Sequence, residues 1–130
     1  MVAVGTFTVK IEVSDGLRER FIGLETLVDS GSTFTWIPRQ VLLDLGHSPR
    51  FRITLRLADG RRIERDAADD VPIRIAGEIR GAVCIFAEEG ESPLLGAHTL
   101  EAHLLAVDPV ARRLVPVEAL AMGLQSLARI

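Results

Sequence analysis

The sequence predicts a mainly β fold, a barrel or sandwich of short strands with one or two minor helices. Two observations carry this. Apolar and polar residues alternate with a period of two in several stretches, and turn-forming residues recur between those stretches. A chain of 130 residues is long enough for one domain with its own core and too short for two of ordinary size.

Phe7, Val9, Ile11 and Val13 alternate with Thr8, Lys10 and Glu12, and Ser14-Asp15-Gly16 supplies a turn. A second strand is expected from about Phe21 to Val28, delivering Asp29 into a loop. After Pro38, the segment Arg39 to Gly46 reads as a short helix, with proline at its start and glycine as its stop. The clearest alternation follows: Phe51, Ile53, Leu55 and Leu57 on one face, Arg52, Thr54 and Arg56 on the other. Asp59-Gly60 then turns the chain back through Arg61 to Glu64 as a hairpin.

Asp69-Asp70 is expected in a solvated loop before a strand at Val71, Ile73 and Ile75, and Ala82 to Phe86 reads as a strand buried on both faces. The acidic stretch Glu88 to Glu91 is placed in a loop before Leu94-Leu95-Gly96, followed by a short helix from Ala97 to His103. Two last strands, near Leu104–Val107 and Leu114–Val117, are joined by a turn at Asp108-Pro109. From Glu118 to Arg129, Leu120, Leu124 and Leu127 stand at helical spacing. The expected organisation is one domain over 1–117 and an amphipathic helical tail over 118–130.

Composition narrows the function classes. A net charge of −3 gives no global attraction to nucleic acid or to an anionic membrane, and the fourteen Arg and one Lys are scattered. No apolar run reaches the roughly 18 residues that span a bilayer. The N-terminus enters a strand pattern without a basic segment or a cleavage site, and the single cysteine, Cys84, allows no internal disulfide. A soluble, cytoplasmic protein is the expectation. His47, His98 and His103 match no zinc spacing, so neither metal nor cofactor is expected. A serine hydrolase lacks its Gly-x-Ser-x-Gly elbow, and Cys84, inside an apolar strand, reads as a buried inert thiol.

Asp29-Ser30-Gly31 alone is ordinary turn chemistry, but its surroundings are not. Leu27-Val28 precedes it, Ser32-Thr33-Phe34-Thr35-Trp36-Ile37-Pro38 follows it, and an apolar pair with glycine recurs at Leu94-Leu95-Gly96 before a helix. In these residues the chain resembles the retropepsin-like aspartic peptidases, specifically the compact single-domain proteins of prokaryotes. That family has two apolar residues, Asp, Thr or Ser, and Gly, then a second motif of two apolar residues and Gly. The loop after Asp29 is also similar to that of pepsin-type enzymes, with a Trp and a Pro at similar distances. The resemblance runs from about Thr6 to Val117.

The resemblance implies a closed β-barrel of the acid-protease type and an endopeptidase that activates water between two carboxyls. Two such groups about 3 Å apart cannot both ionise and share one proton, the established behaviour of the aspartic-protease dyad. Only one Asp-Ser/Thr-Gly is present: Asp15-Gly16 and Asp59-Gly60 lack the middle residue and fall in predicted turns. The second Asp29 would therefore come from a second copy, with a two-fold axis through the site.

By the same resemblance Asp29 is the catalytic group and Ser30 bonds across the axis. Gly31 lets its N–H reach the carboxylate, and Ser32 bonds the outer carboxylate oxygen; ordinary turn bonding is the alternative for both serines. Ala58-Asp59-Gly60 would form the tip of a flap over a peptide substrate, or simply an exposed hairpin. Arg61 and Arg62 could favour acidic substrate side chains or merely solvate the hairpin. Trp36 reads as core, with substrate contact as the other option. A non-catalytic peptide-binding or dimerisation module on the same fold is the rival function, and the tail could pack on the body, build the dimer interface or cover the site.

Overall fold

The structure, a computed structural model, describes residues 6–121. Nine strands and two short helices follow in order: β1 (Thr8–Ser14), β2 (Phe21–Val28), β3 (Thr35–Pro38), α1 (Arg39–Asp44), β4 (Phe51–Arg56), β5 (Arg62–Ile75), β6 (Glu78–Ala87), β7 (Leu94–Leu95), α2 (Ala97–Ala102), β8 (Leu105–Asp108) and β9 (Arg113–Pro116).

Seven strands form one sheet in the order β1-β2-β7-β3-β6-β5-β4. A further antiparallel pairing of β1 with β5, Glu12 opposite Arg74 and Val13 opposite Ile73, closes six of them into a barrel. Only β4 stays outside the ring, held to β5 alone as the first arm of a hairpin. Closure leaves the ring strands without open edges, so that among the strands of this sheet only β4 presents one. The β8–β9 ribbon stands apart from this sheet. It is tied to the start of the barrel by the Arg112 guanidinium, which donates to the Thr6 carbonyl at 2.7 Å.

Inside the ring, Ile11, Val13, Ile37, Val71, Ile73, Phe86 and Leu95 are almost completely buried. Each fully buried side chain of this kind contributes roughly 1.5–3 kcal/mol. Helix α1 plugs one side with Leu42. Its stop is the glycine expected from sequence: Gly46 takes φ +84, its N–H donates to Leu43 O, and His47 N–H donates to Leu42 O. That double bond around a left-handed glycine satisfies two carbonyls at the helix end.

Three sequence expectations are corrected. Asp69 and Asp70 do not lie in a loop; they sit inside β5, where the register with β6 shifts between Ala68 and Val71 and Asp70 takes φ 56. A β-bulge absorbs the extra residue and keeps the inward alternation on both sides of it. Strand β6 starts at Glu78, because Ala76 and Gly77 both adopt positive φ and form a tight two-residue turn between Ile75 and Glu78. The acidic stretch does lie in a loop, and there the Glu91 carboxylate accepts from the Arg65 guanidinium of β5 at 3.1 and 2.7 Å. The tail expected as a helix begins without one: residues 118–121 have no regular structure, and the remainder of that segment lies outside the described residues.

Candidate active site

Strands β2 and β3 are consecutive, yet they are not neighbours. The two-residue strand β7 lies between them, parallel to β2 (Leu27 opposite Leu94, Val28 opposite Leu95) and antiparallel to β3 (Trp36 opposite Leu94). The loop that carries Asp29 must therefore arch over the end of β7. Leu27 N–H donates to Pro93 O at 3.1 Å and Asp29 N–H to Leu95 O at 3.0 Å, so the backbone on both sides of Val28 is anchored to β7.

Gly31 N–H donates to Asp29 Oδ1 at 2.9 Å. A Cβ on Gly31 would stand 3.2 Å from that same oxygen, so the glycine permits the close approach. Asp29 is half-buried while Ser30 and Gly31 are exposed, which presents the carboxyl at the surface of a single chain. Ser32 differs from the expectation: its hydroxyl donates to the Phe34 carbonyl at 3.0 Å rather than to Asp29. The nearer acceptor lies within its own turn, the local bonding that serine commonly adopts.

Gly96 explains the second motif. A Cβ there would meet Phe34 O at 2.3 Å, Phe34 C at 2.6 Å and Ser32 O at 2.9 Å, all backbone atoms of the Asp29 loop. Only glycine lets loop and strand end touch. The contact is then secured by polar bonds: Ala97 N–H to Ser32 O at 2.8 Å, His98 N–H to Thr33 O at 3.1 Å, and Gly96 N–H to the buried Thr35 Oγ1 at 3.0 Å. Thr35 Oγ1 also shares a hydrogen bond of 2.6 Å with Thr99 Oγ1 of α2. The first N–H groups of α2, which have no partner within the helix, are thus satisfied by the aspartate loop itself. The far end of α2 is fixed by buried His103, whose ring nitrogens lie 2.9 Å from Thr99 O and 3.0 Å from Ile73 O of β5.

Opposite this loop the β4–β5 hairpin turns at Ala58-Asp59-Gly60. Gly60 has φ +88 and donates to Leu57 O, and Leu57 N–H donates to Arg61 O at 2.8 Å. The Arg61 backbone N–H and then its guanidinium hold the Asp59 carboxyl below the usual carboxylate range. Further down the hairpin, the guanidinium groups of Arg39 and then Arg52 lower the Asp66 carboxyl in the same way, at 2.8 and 3.0 Å.

Between loop and hairpin lies a cavity of about 570 Å³. Asp29, Gly31, Phe34, Trp36 and Leu94 line it from the barrel side, and Ile53, Leu55, Leu57 and Ala58 from the hairpin. Trp36, read from sequence as core, is only half-buried and belongs to this wall. Sequence reasoning also missed the lining roles of Phe34, Ile53 and Leu55, although the alternation had already set Ile53, Leu55 and Leu57 on one face. Asp59 and Gly60, at the hairpin tip, are not among the lining residues. Among the described residues, no three His, Cys, Asp or Glu side chains gather in a way that could hold a metal ion. Cys84 is fully buried, and burial pushes its thiol pKa up.

Two solved structures share this architecture. The simian foamy virus (mac) protease in solution superposes with a TM-score of 0.53 at 18% identity, over 73% of this chain and 92% of that one. The EIAV protease complexed with the inhibitor HBY-793 gives a TM-score of 0.55 at 16% identity, over 73% of this chain and 85% of that one. The fold is retropepsin-like. No family model matches the sequence, and no curated protein matches it. At such low identity the likeness speaks for the barrel and not for its chemistry, which a retropepsin-like scaffold has to acquire from its own site residues.

Proposed function

We propose that the protein is an aspartic endopeptidase, built as a homodimer in which each copy supplies one Asp29 carboxyl. The observation that carries this reading is the position of Asp29: on a rigidly bonded loop, at the wall of a cavity whose other side is a projecting hairpin. An extended peptide laid in that cavity would have apolar walls for its side chains and a carboxyl facing its backbone.

Two Asp29 carboxyls about 3 Å apart share one proton. The ionised member removes a proton from water as the water oxygen attacks the peptide carbonyl carbon. The protonated member gives its proton to the carbonyl oxygen, forming a neutral tetrahedral diol. The first carboxyl then gives the proton it took from water to the amide nitrogen while the other, now ionised, takes a proton from a diol hydroxyl, so that the C–N bond breaks, acid and amine leave, and the dyad again holds one proton. Gly31 N–H, already on Asp29 Oδ1, would fix the orientation of each carboxyl, and the exposed Ser30 would meet its counterpart across the axis. The single buried thiol suits the reducing cytoplasm as the site of action.

Asp29→Asn in the full chain is expected to abolish peptide hydrolysis with the fold retained, since an amide oxygen can still accept the Gly31 N–H. Cleavage undiminished in that variant, or catalysis by a strictly monomeric species in sedimentation, would overturn the reading. Tight peptide binding with no turnover at any acidic pH would assign the protein to the binding-module class instead.

A further inference from the structure

Five arginines stand along the β4–β5 hairpin, at positions 52, 56, 61, 62 and 65. Three have carboxylates close by: Arg52 with Asp66 at 3.0 Å and Glu64 at 3.6 Å, Arg61 with Asp59 at 2.7 Å, and Arg65 with Glu91 at 2.7 Å. Arg56 and Arg62 have none among the described residues. They are also direct partners in the antiparallel ladder, the last pair before the turn.

Directly opposed like charges on one face of a sheet are destabilising. The same face shows the alternative at its root, where Arg52 lies opposite Asp66 and Thr54 opposite Glu64. Charge on this face is therefore balanced near the barrel and uncompensated towards the turn. Arg56 alternates with the apolar wall residues Leu55 and Leu57, yet because β4 is the outer strand of the hairpin Arg56 too is one of the residues lining the cavity that holds Asp29.

We propose that Arg56, at the wall of the Asp29 cavity, is a specificity-determining residue that receives the Asp or Glu side chain of a bound peptide, with Arg62, its ladder partner, adding a second positive charge beside it. The inference deepens the peptidase reading and rests on it for the position of the substrate. It also corrects the expectation from sequence that Arg61 shares this role, since Arg61 is occupied by Asp59. Asp29 itself repels an anion, so the acidic residue sits beside the hairpin, away from the peptide bond that is cleaved. Guanidinium groups this exposed attract through solvent, so the preference is modest and weakens as salt rises.

The test uses the full chain carrying Asp29→Asn, so that peptides bind without being cut, and a set of fluorescent peptides in Glu and Gln versions at each position. Anisotropy is expected to show a preference for one Glu version of about fivefold at low ionic strength, the order seen for exposed ion pairs. Arg56→Gln and Arg62→Gln should each reduce that preference, whereas Arg18→Gln, which removes an exposed guanidinium from the β1–β2 turn, should leave it intact. Equal affinity for Glu and Gln versions, no binding of either, or a preference that survives loss of both arginines overturns the inference. Cleavage by the unsubstituted chain is scored separately. If it cuts none of these peptides while the Glu preference holds, the peptidase reading fails and the acidic-peptide site stands.

Discussion

The two walls of the cavity are built in opposite ways. The aspartate loop is bonded to β7, β3 and α2 through backbone groups and two buried threonines, and a Cβ at Gly96 would collide with it. In the β4–β5 hairpin β4 pairs with β5 alone, and the tip residues Ala58 to Arg62 are all exposed. One wall is immobilised by contacts that tolerate no extra atom, and the other has so few buried contacts that opening it disrupts little. The difference fits the proposed peptidase site, which would hold a carboxyl still while admitting a chain several residues long.

Substitutions on each side can break or sharpen this contrast. The largest effect is expected from Gly96→Ala, whose methyl group meets three backbone atoms of the aspartate loop. A loss of about 3–5 kcal/mol in denaturant unfolding is anticipated, with hydrolysis lost as well. A stable Ala variant would show the loop to be far more pliable than its bonding implies.

Thr35→Val comes next. It keeps the shape but leaves Gly96 N–H and Thr99 Oγ1 without their buried partner, a cost of about 1–3 kcal/mol by thermal or chemical unfolding. On the hairpin, Gly60→Ala forces a side chain into φ +88, which costs roughly 1 kcal/mol. Its effect on kcat/KM should exceed its effect on stability, because the strain falls on the tip rather than on the barrel. An equal fall in both would mean that the hairpin is part of the cooperative core.

The smallest effect concerns the hairpin root. Asp66 has its pKa held below the ordinary 3.8 by Arg39 and Arg52. A depressed carboxylate pKa contributes stability that is present above its unfolded value and is lost as pH falls through the lowered folded value. Asp66→Asn should therefore lower Tm at neutral pH, and the gap from the unsubstituted chain should close as pH drops below about 4. A gap independent of pH would show that packing, and not charge, anchors this end of the hairpin.

Much of this was legible in the sequence because it is local. The alternation at Phe51–Leu57, the glycine stop at Gly46 and the Asp29-Ser30-Gly31 turn each depend on residues within a few positions of one another. The bulge at Asp69-Asp70 was not legible, since two acidic residues between strands look the same in a loop and in a register shift; only pairing with β6 distinguishes them. Ala76-Gly77 is a weak turn signal that became a tight turn because both flanking strands demand it. Ser32 turned to Phe34 O, and the cavity that Arg56 lines exists only where the hairpin and the Asp29 loop, far apart in sequence, come together. The collision that excludes a side chain at Gly96 is equally invisible in a string of letters, although the motif itself was readable.

The insertion of β7 between β2 and β3 also imposes an order on events during synthesis. Asp29 leaves the ribosome long before the Leu95 carbonyl that accepts its N–H and before Gly96, the neighbour that fits beneath its loop. Until those residues arrive, the two strands flanking the loop have nothing between them to pair with, and such distant pairings form slowly. A partly made chain therefore carries the aspartate without its setting. The carboxyl acquires a fixed direction only when the last strand of the barrel is in place.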